Sequence, residues 1–388
     1  VNLAFELAAP ARIVFAPGAL AEVAGIAHAL GARPLLVTGR SSERATGLAD
    51  ALQRQGLAAP TRFAVAGEPT VALARAGTEV ARAAGCDLVV ALGGGSALDA
   101  GKAIAALLGN GGDPLDYLEV IGRGQPLRAA GAPFIAVPTT AGTGSEVTRN
   151  AVLSSPEHGA KASLRSPSML ARAAVIDPDL LADLPRAVIA SGGLDALSQL
   201  IEPLISSRAQ PVTDALAREG IGRSARALRR SFRQGLVDPD DRQDLALASL
   251  LGGLCLANAG LGAVHGFAAP AGGLWPVPHG AACAALLPHA LRINLRALQA
   301  RAAGHPAIDR LREVAAILTG RPAARAEDGI EWLEELCADL AIPGLSHYGM
   351  TAADIPELVQ KARVASSMKG NPLPLSDDEL AEIAARAL

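Results

Sequence analysis

The chain has 388 residues, half of them hydrophobic and 19% charged, with a formal net charge of −3. That length exceeds what one hydrophobic core usually serves and predicts two domains, while the composition excludes a disordered chain. With no Lys/Arg block, there is no electrostatic footprint for a nucleic acid or an anionic membrane.

In chain order, PLLVT (34–38), TRFAV (61–65), DLVVAL (87–92), PFIAVP (133–138) and AAVID (173–177) predict strands, each bounded by Gly, Pro or polar residues. Between them, LADALQRQGL and VALARAGTEVARAAG carry apolar positions at helical spacing. Alternation of near-continuous apolar strands with helices implies a mostly parallel sheet covered on both faces, hence a Rossmann-like α/β domain over 1–186. Past residue 186 the strand signal stops. ALAREGIGRSARALRRSF, RQDLALASLLGGLCLANAGL, AIDRLREVAAILTG and GIEWLEELCADL are helix-like, and LSDDELAEIAARAL opens on a capping-type SDDE. An all-α domain over 187–388 is expected, with the active site in the cleft between the two.

Cys86, Cys255, Cys283 and Cys337 lie far apart with no CxxC pair, which predicts scattered buried thiols in a reducing compartment. The N-terminus has no basic region followed by an apolar core, and no apolar run approaches the roughly 18 residues of a membrane span. A cytoplasmic location is the expectation.

Two polar loops follow strands. In ALGGGSALDAGKAIAAL (91–107), Gly93, Gly94 and Gly95 carry no Cβ, so a phosphate can approach the backbone and meet the N–H groups of the next helix. The pattern is neither a GxGxxG, since Leu98 takes the place of the third glycine, nor a GxxxxGK[ST], since Ala103 follows Lys102. In PTTAGTGSEVTRN (138–150), Thr139, Thr140, Thr143 and Ser145 alternate with glycines and suit a polar ligand. Two such loops at strand ends of one sheet predict a shared ligand site, although either taken singly is also compatible with a plain turn.

The third signal lies in the second half. GGLDALSQLIEP (192–203) places Asp195 and Gln199 on one helical face, and VHGFAAPAGGLWPVPHG (264–280) carries His265 and His279. One carboxylate and two imidazoles form the ligand set of a catalytic divalent metal site. Spacing alone leaves open whether they converge, because a single His in an apolar helix is more often a hydrogen-bonded core residue than a ligand.

These stretches also carry a resemblance. GGGSALDAGKAIA, PTTAGTGSEVT, Lys161, IDPDLLADLP, GGLDALSQLIEP, GLGAVHGFAAPAGGLWPVPHGAACAALLPH and GNPLPLSDDEL occur in an order that resembles the iron-containing (group III) alcohol dehydrogenase family nearly from end to end. The resemblance implies a dehydroquinate-synthase-like two-domain architecture: an α/β domain binding NAD or NADP, a helical domain holding iron or zinc, and a homodimer. It implies hydride transfer between a small alcohol and its aldehyde or ketone, with the metal polarising the oxygen. Position by position, Gly94, Gly95 and Ser96 match the pyrophosphate turn. Thr139, Thr140 and Thr143 match the cofactor-side loop, Lys161 the lysine near the ribose, and Asp195, His265 and His279 three metal ligands.

Two positions depart from the family pattern. Gln199 stands where a fourth, histidine ligand is usual, and Ala269 replaces a histidine near the substrate. An amide oxygen ligates Fe²⁺ poorly, whereas three ligands suffice for catalytic zinc. Gln199 thus joins Asp195, His265 and His279 as a candidate catalytic group, and proton delivery falls to the cofactor ribose, Lys161 or water. Phe267, Ala269, Trp275 and Asn150 are candidates for lining the pocket. At LLVTGRSSERA (35–45), Gly39 takes the place of an Asp found in many NAD-preferring relatives. Arg40, Ser41 and Ser42 are then available to a 2′-phosphate, which favours NADP. The alternatives are a metal-independent reductase resembling maleylacetate reductase, whose PTTYAGSE-type loop differs, and a non-catalytic nucleotide-binding protein with a decayed metal site. A lyase resembling dehydroquinate synthase is disfavoured, because no basic phosphate pocket is evident.

Overall fold

The computed structural model describes residues 4–39 and 42–388. Among the described residues eight strands form: β1 (Ile13–Phe15), β2 (Pro34–Thr38), β3 (Thr61–Ala64), β4 (Leu88–Gly93), β5 (Phe134–Pro138), β6 (Asn150–Ser155), β7 (Ala160–Arg165) and β8 (Ala173–Ile176). Six of them make one parallel sheet in the order β1-β8-β5-β4-β2-β3. Helices α1 (Val23–His28), α2 (Ser42–Arg54), α3 (Val71–Ala83), α4 (Gly95–Asn110) and the short α5 (Pro114–Tyr117) connect them.

Side chains alternate across each strand, which explains the unbroken apolar runs. Leu36, Val90, Leu92, Ile135, Val137 and Val175 face one layer, where Leu48 and Leu52 of α2 and Val23 of α1 pack. Leu35, Val37, Val89, Ala91, Phe134 and Ala136 face the other, against Leu98 and Ile104 of α4. On α4, Gly101 is the contact point with the sheet: a Cβ there would lie 2.9 Å from Ala91 Cβ and 3.0 Å from a Phe134 ring carbon. The close helix–sheet approach that a third glycine gives in GxGxxG is supplied here by Gly101, three residues beyond Leu98.

The five predicted strands form with ends within one residue of expectation. The remaining three are not legible as strands. β1 is three residues on the sheet edge, paired with β8. β6 and β7 form an antiparallel hairpin whose turn, Pro156–His158 closed by left-handed Gly159, interrupts a run of small residues.

The compact units of the chain are residues 8–140 with 144–182, which contain the sheet, and residues 183–388 with 141–143 and the N-terminal segment. The second is helical: α6 (Arg186–Ile205), α7 (Pro211–Gln234), α8 (Pro239–Ala259), α9 (Ala263–Leu274), α10 (His279–Arg301), α11 (Pro306–Thr319), α12 (Ala326–Asp339), α13 (Ile355–Val364) and α14 (Asp377–Arg386). Ser376 caps α14 in a reciprocal box with Glu379, as SDDE predicts. By length and composition α6 could span a bilayer, but 83% of that window is buried and it holds Asp195, Gln199 and Glu202, which marks a core helix. Helices α8 and α9 meet that criterion only as a pair, and they are bent by 99° at the break between them.

Candidate functional site

At the sheet's C-terminal edge, β4 ends at Gly93, Gly94 takes the N-cap position in extended conformation, and α4 begins at Gly95. Among the described residues no side chain caps this helix, so its first N–H groups, including those of Gly95 and Ser96, remain available to an anion. A Cβ on Gly94 would lie 3.0 Å from Thr140 Cγ2 and 3.2 Å from its hydroxyl, so the second polar loop lies against the turn. Thr139 N–H donates to the Gly93 carbonyl at 2.9 Å, and Gly39 N–H reaches the Leu92 carbonyl at 3.4 Å. Gly39, Gly94, Gly95, Ser96, Thr139 and Thr140 thus gather at the adjacent ends of β2, β4 and β5. Between β2 and β4 the strand order reverses, the position where open α/β sheets take ligands.

Arg40 and Ser41 fall outside the described residues. Thr143 belongs with the helical unit: its neighbour Gly142 donates from its N–H to Ser249 Oγ of α8 at 2.8 Å. Lys161 on β7 is ion-paired with Glu68 at 2.6 Å, beyond the end of β3.

A polar network not foreseen from the sequence lies behind the turn. Lys102 of α4 is 1% exposed and donates to Thr148 Oγ1 at 2.9 Å and the Asn150 carbonyl at 2.6 Å, with Asp99 at 3.3 Å. Asp99 in turn accepts from Ser145 Oγ at 2.5 Å and Val152 N–H at 3.0 Å. Burial lowers the Lys102 pKa, opposed by Asp99. Burial also pushes Glu146 up to about 7, against a backbone hydrogen bond and the charge of Lys102.

In the helical unit, Asp195 of α6, His265 of α9, and His279 and Cys283 of α10 each direct one donor atom to a common point, all within 4.8 Å of one another. His265 Nε2 lies 3.2 Å from Asp195 Oδ1, and His279 Nε2 lies 3.9 Å from the same oxygen. Glu202, two turns beyond Asp195 on α6, binds His265 Nδ1 at 2.6 Å and accepts Val264 N–H at 2.7 Å. A carboxylate on Nδ1 holds the proton there and leaves the Nε2 lone pair facing the cluster. Gly280 permits the approach of α10, since a Cβ at that position would meet the Ser191 carbonyl of α6 at 2.6 Å.

Burial disfavours the charged forms, yet mutual attraction wins. Against burial, the charge of Cys283 and hydrogen bonds to Asp195, Cys283 and Glu202 raise the His265 pKa well above its ordinary value. His279 rises for similar reasons, led by Cys283 and Asp195. Against its own burial, Asp195 falls, drawn down by His279 and His265 and by a hydrogen bond from Gln199. Anion and cation character packed this tightly matches a site in which a divalent cation replaces the protons.

All four cysteines are free; Cys255 and Cys283 are buried as expected, whereas Cys86 and Cys337 are only partly so. Cys255 and Cys337 donate to the carbonyls of Thr213 and Ala284, while Cys283 faces the two imidazoles. Burial pushes Cys337 up to about 12 and raises Cys255 as well. The signal for Cys283 was its place four residues after His279, one helical turn away. Gln199 is also buried, and its Oε1 has no hydrogen-bond partner among the described residues. Phe267 has no exposed surface and is a packing residue.

An uncapped glycine turn on a parallel sheet and a buried carboxylate–imidazole–thiol cluster on helices define a nucleotide- and metal-dependent class of enzyme. Residues 10–178 match the family model for iron-containing alcohol dehydrogenase, and residues 189–388 match that for the C-terminal region of the same family. The 1,3-propanediol dehydrogenase of Klebsiella pneumoniae is 35% identical over 98% of this chain and 97% of that protein. A choline dehydrogenase of Bacillus subtilis (strain 168) is 34% identical over 96% of this chain and 92% of its own length. A crystal structure of a 1,3-propanediol oxidoreductase superposes with a TM-score of 0.90 at 33% identity, covering 99% of this chain and all of that one. The chain belongs to the iron-containing alcohol dehydrogenase family. It is an NAD(P)-dependent oxidoreductase that interconverts an alcohol and its carbonyl compound, with a divalent metal.

Proposed function

We propose that residues 1–186 bind the nucleotide and residues 187–388 hold the metal and a small alcohol or carbonyl substrate, with NADP preferred over NAD. What carries the metal reading is the convergence of Asp195, His265 and His279 donors within 4.8 Å in a buried setting. A divalent cation bound there supplies Lewis-acid polarisation of the substrate oxygen. Asp195 provides the anionic donor and His265 and His279 neutral ones. Glu202 orients His265 by holding its Nδ1 proton. Gln199 keeps a bare carbonyl oxygen able to accept from a substrate hydroxyl.

On the nucleotide side, Gly94, Gly95 and Ser96 receive the pyrophosphate on backbone N–H groups, with Thr139, Thr140 and Thr143 lining the loop and Lys161 serving the ribose. The NADP preference is supported by Gly39, which puts no carboxylate at the end of β2, and by the cation of Arg40 beside it in the chain. A cytoplasmic location is supported by four free cysteines. Exposed Phe5 and Leu7 offer apolar surface of the kind a homodimer covers. The net charge of −3 supports neither a nucleic-acid nor a membrane partner.

The test is elemental analysis of protein purified without added metal, with NADPH oxidation assayed on aldehydes before and after chelation. The panel begins with the carbonyl partners of 1,3-propanediol and choline, for which relatives are named. About one zinc or iron per chain, with activity lost on chelation and restored by metal, is the expected result. No metal with undiminished turnover overturns it.

A further inference from the structure

We infer that Cys283 supplies a fourth protein donor to the metal centre, making it an Asp195–His265–His279–Cys283 set that selects zinc over iron. This rests on the reading that the cluster holds a divalent cation. Its geometry is specific. Around one tetrahedral zinc, with bonds of about 2.3 Å to sulfur and about 2.0 Å to nitrogen or oxygen, S and N donors stand about 3.6 Å apart and N and O donors about 3.3 Å apart. Cys283 Sγ lies 3.7 Å from both His265 Nε2 and His279 Nε2, and Asp195 Oδ1 lies 3.2 Å and 3.9 Å from the same two nitrogens. These four separations are those expected around one small cation, and all four donor atoms lie within 4.8 Å of one another.

The sulfur has no other evident task. Cys283 is fully buried, and its hydrogen-bond contacts are the two imidazole nitrogens, whereas Cys255 and Cys337 donate to backbone carbonyls as ordinary core thiols do. Gln199 is a neutral amide, a weaker donor than a thiolate, and its Oε1 lies beside Gly252, 3.7 Å from where a Cβ there would stand. Placing His279 and Cys283 one turn apart on α10 puts both donors on one face of the same rigid helix. The His279 side chain keeps 37% exposure while Asp195 and His265 are buried, which leaves an approach for a substrate oxygen as a fifth ligand. A thiolate softens the site and biases it toward zinc, where an all-N/O set accepts iron readily.

The full-length protein, stripped with chelator and reloaded with Co²⁺, reads the sulfur directly. The wild type and Cys255→Ser are expected to take up about one Co²⁺ per chain and show near-ultraviolet thiolate-to-cobalt charge-transfer absorption. Cys283→Ser and Cys283→Ala lose that band, and their zinc affinity falls at least ~10-fold. Extended X-ray absorption of the zinc-loaded wild type needs no variant and should find one sulfur at about 2.3 Å. Uptake that disappears in Asp195→Ala, but with no charge-transfer band and a shell of nitrogen and oxygen only, overturns the role of Cys283 and leaves the metal reading standing. No uptake that depends on Asp195 overturns both.

Discussion

Glu202 Oε2 lies 2.6 Å from Nδ1 of His265, while the same carboxylate's other oxygen takes the Val264 N–H at 2.7 Å. One side chain therefore fixes both the rotation of the imidazole and the backbone at the start of α9. Replacing it by Gln keeps the volume but removes the charge that holds the Nδ1 proton. Glu202→Gln should weaken zinc binding about 10–100-fold, with the helical circular dichroism unchanged. Chelator-competition titration measures this; unchanged affinity would reduce Glu202 to a packing role.

The approach of α10 to α6 is set by Gly280. A methyl group there meets the Ser191 carbonyl at 2.6 Å, and a backbone atom cannot swing aside as a side chain can. Gly280→Ala should cost about 1–3 kcal/mol of stability. Because His279 and Cys283 ride on the same first turns, the shift should also lower zinc affinity. Calorimetric melting paired with metal titration would separate this from a loss of stability alone.

Glu146 gives the pH dependence. Its folded pKa, about 7, lies above the 4.5 of a free carboxyl. The folded state thus binds this proton more tightly than the unfolded one. The contribution is fully present below pH 4.5, is lost as pH rises through 7, and stays lost above it. At about 1.4 kcal/mol per pKa unit the loss is roughly 3 kcal/mol. Glu146→Gln, which never ionises, should match the wild type near pH 4.5 and exceed it by roughly that amount at pH 8. Urea midpoints across this range would show it, and parallel curves for the two proteins would refute it.

The proposed preference for NADP rests on Gly39. Introducing a carboxylate at the end of β2 places a negative charge where a 2′-phosphate is expected. Gly39→Asp should raise KM for NADPH about 10-fold or more while leaving that for NADH within a few-fold. Steady-state kinetics with both cofactors decides it; equal effects on the two would place the ribose elsewhere.

The α/β half was legible because strands buried on both faces have no polar positions to confuse the pattern, as Leu88–Gly93 illustrates. The hairpin β6–β7 escaped because its strands are built from Ala, Ser and Lys, and its pairing depends on partners across a Pro-containing turn. In the metal cluster, Asp195, His265 and His279 were recognisable by type, but their meeting depends on three helices and on the 99° bend that redirects α9 after α8. Cys283 was hidden by chemistry: a thiol among alanines reads as a small apolar residue until a neighbouring imidazole gives it a partner.

Lys102, sealed beneath the glycine turn, has a consequence for the thermodynamics of nucleotide binding. Its ammonium joins α4 to the residues entering β6 through Thr148 and Asn150, and Asp99 joins the same helix to Ser145 and Val152. If the proposed pyrophosphate site is right, a helix start clamped from behind has little conformational freedom left to surrender on binding. Binding should then show a small entropic penalty and a heat-capacity change close to that of the contact surface alone, the signature of a cradle ordered before its ligand.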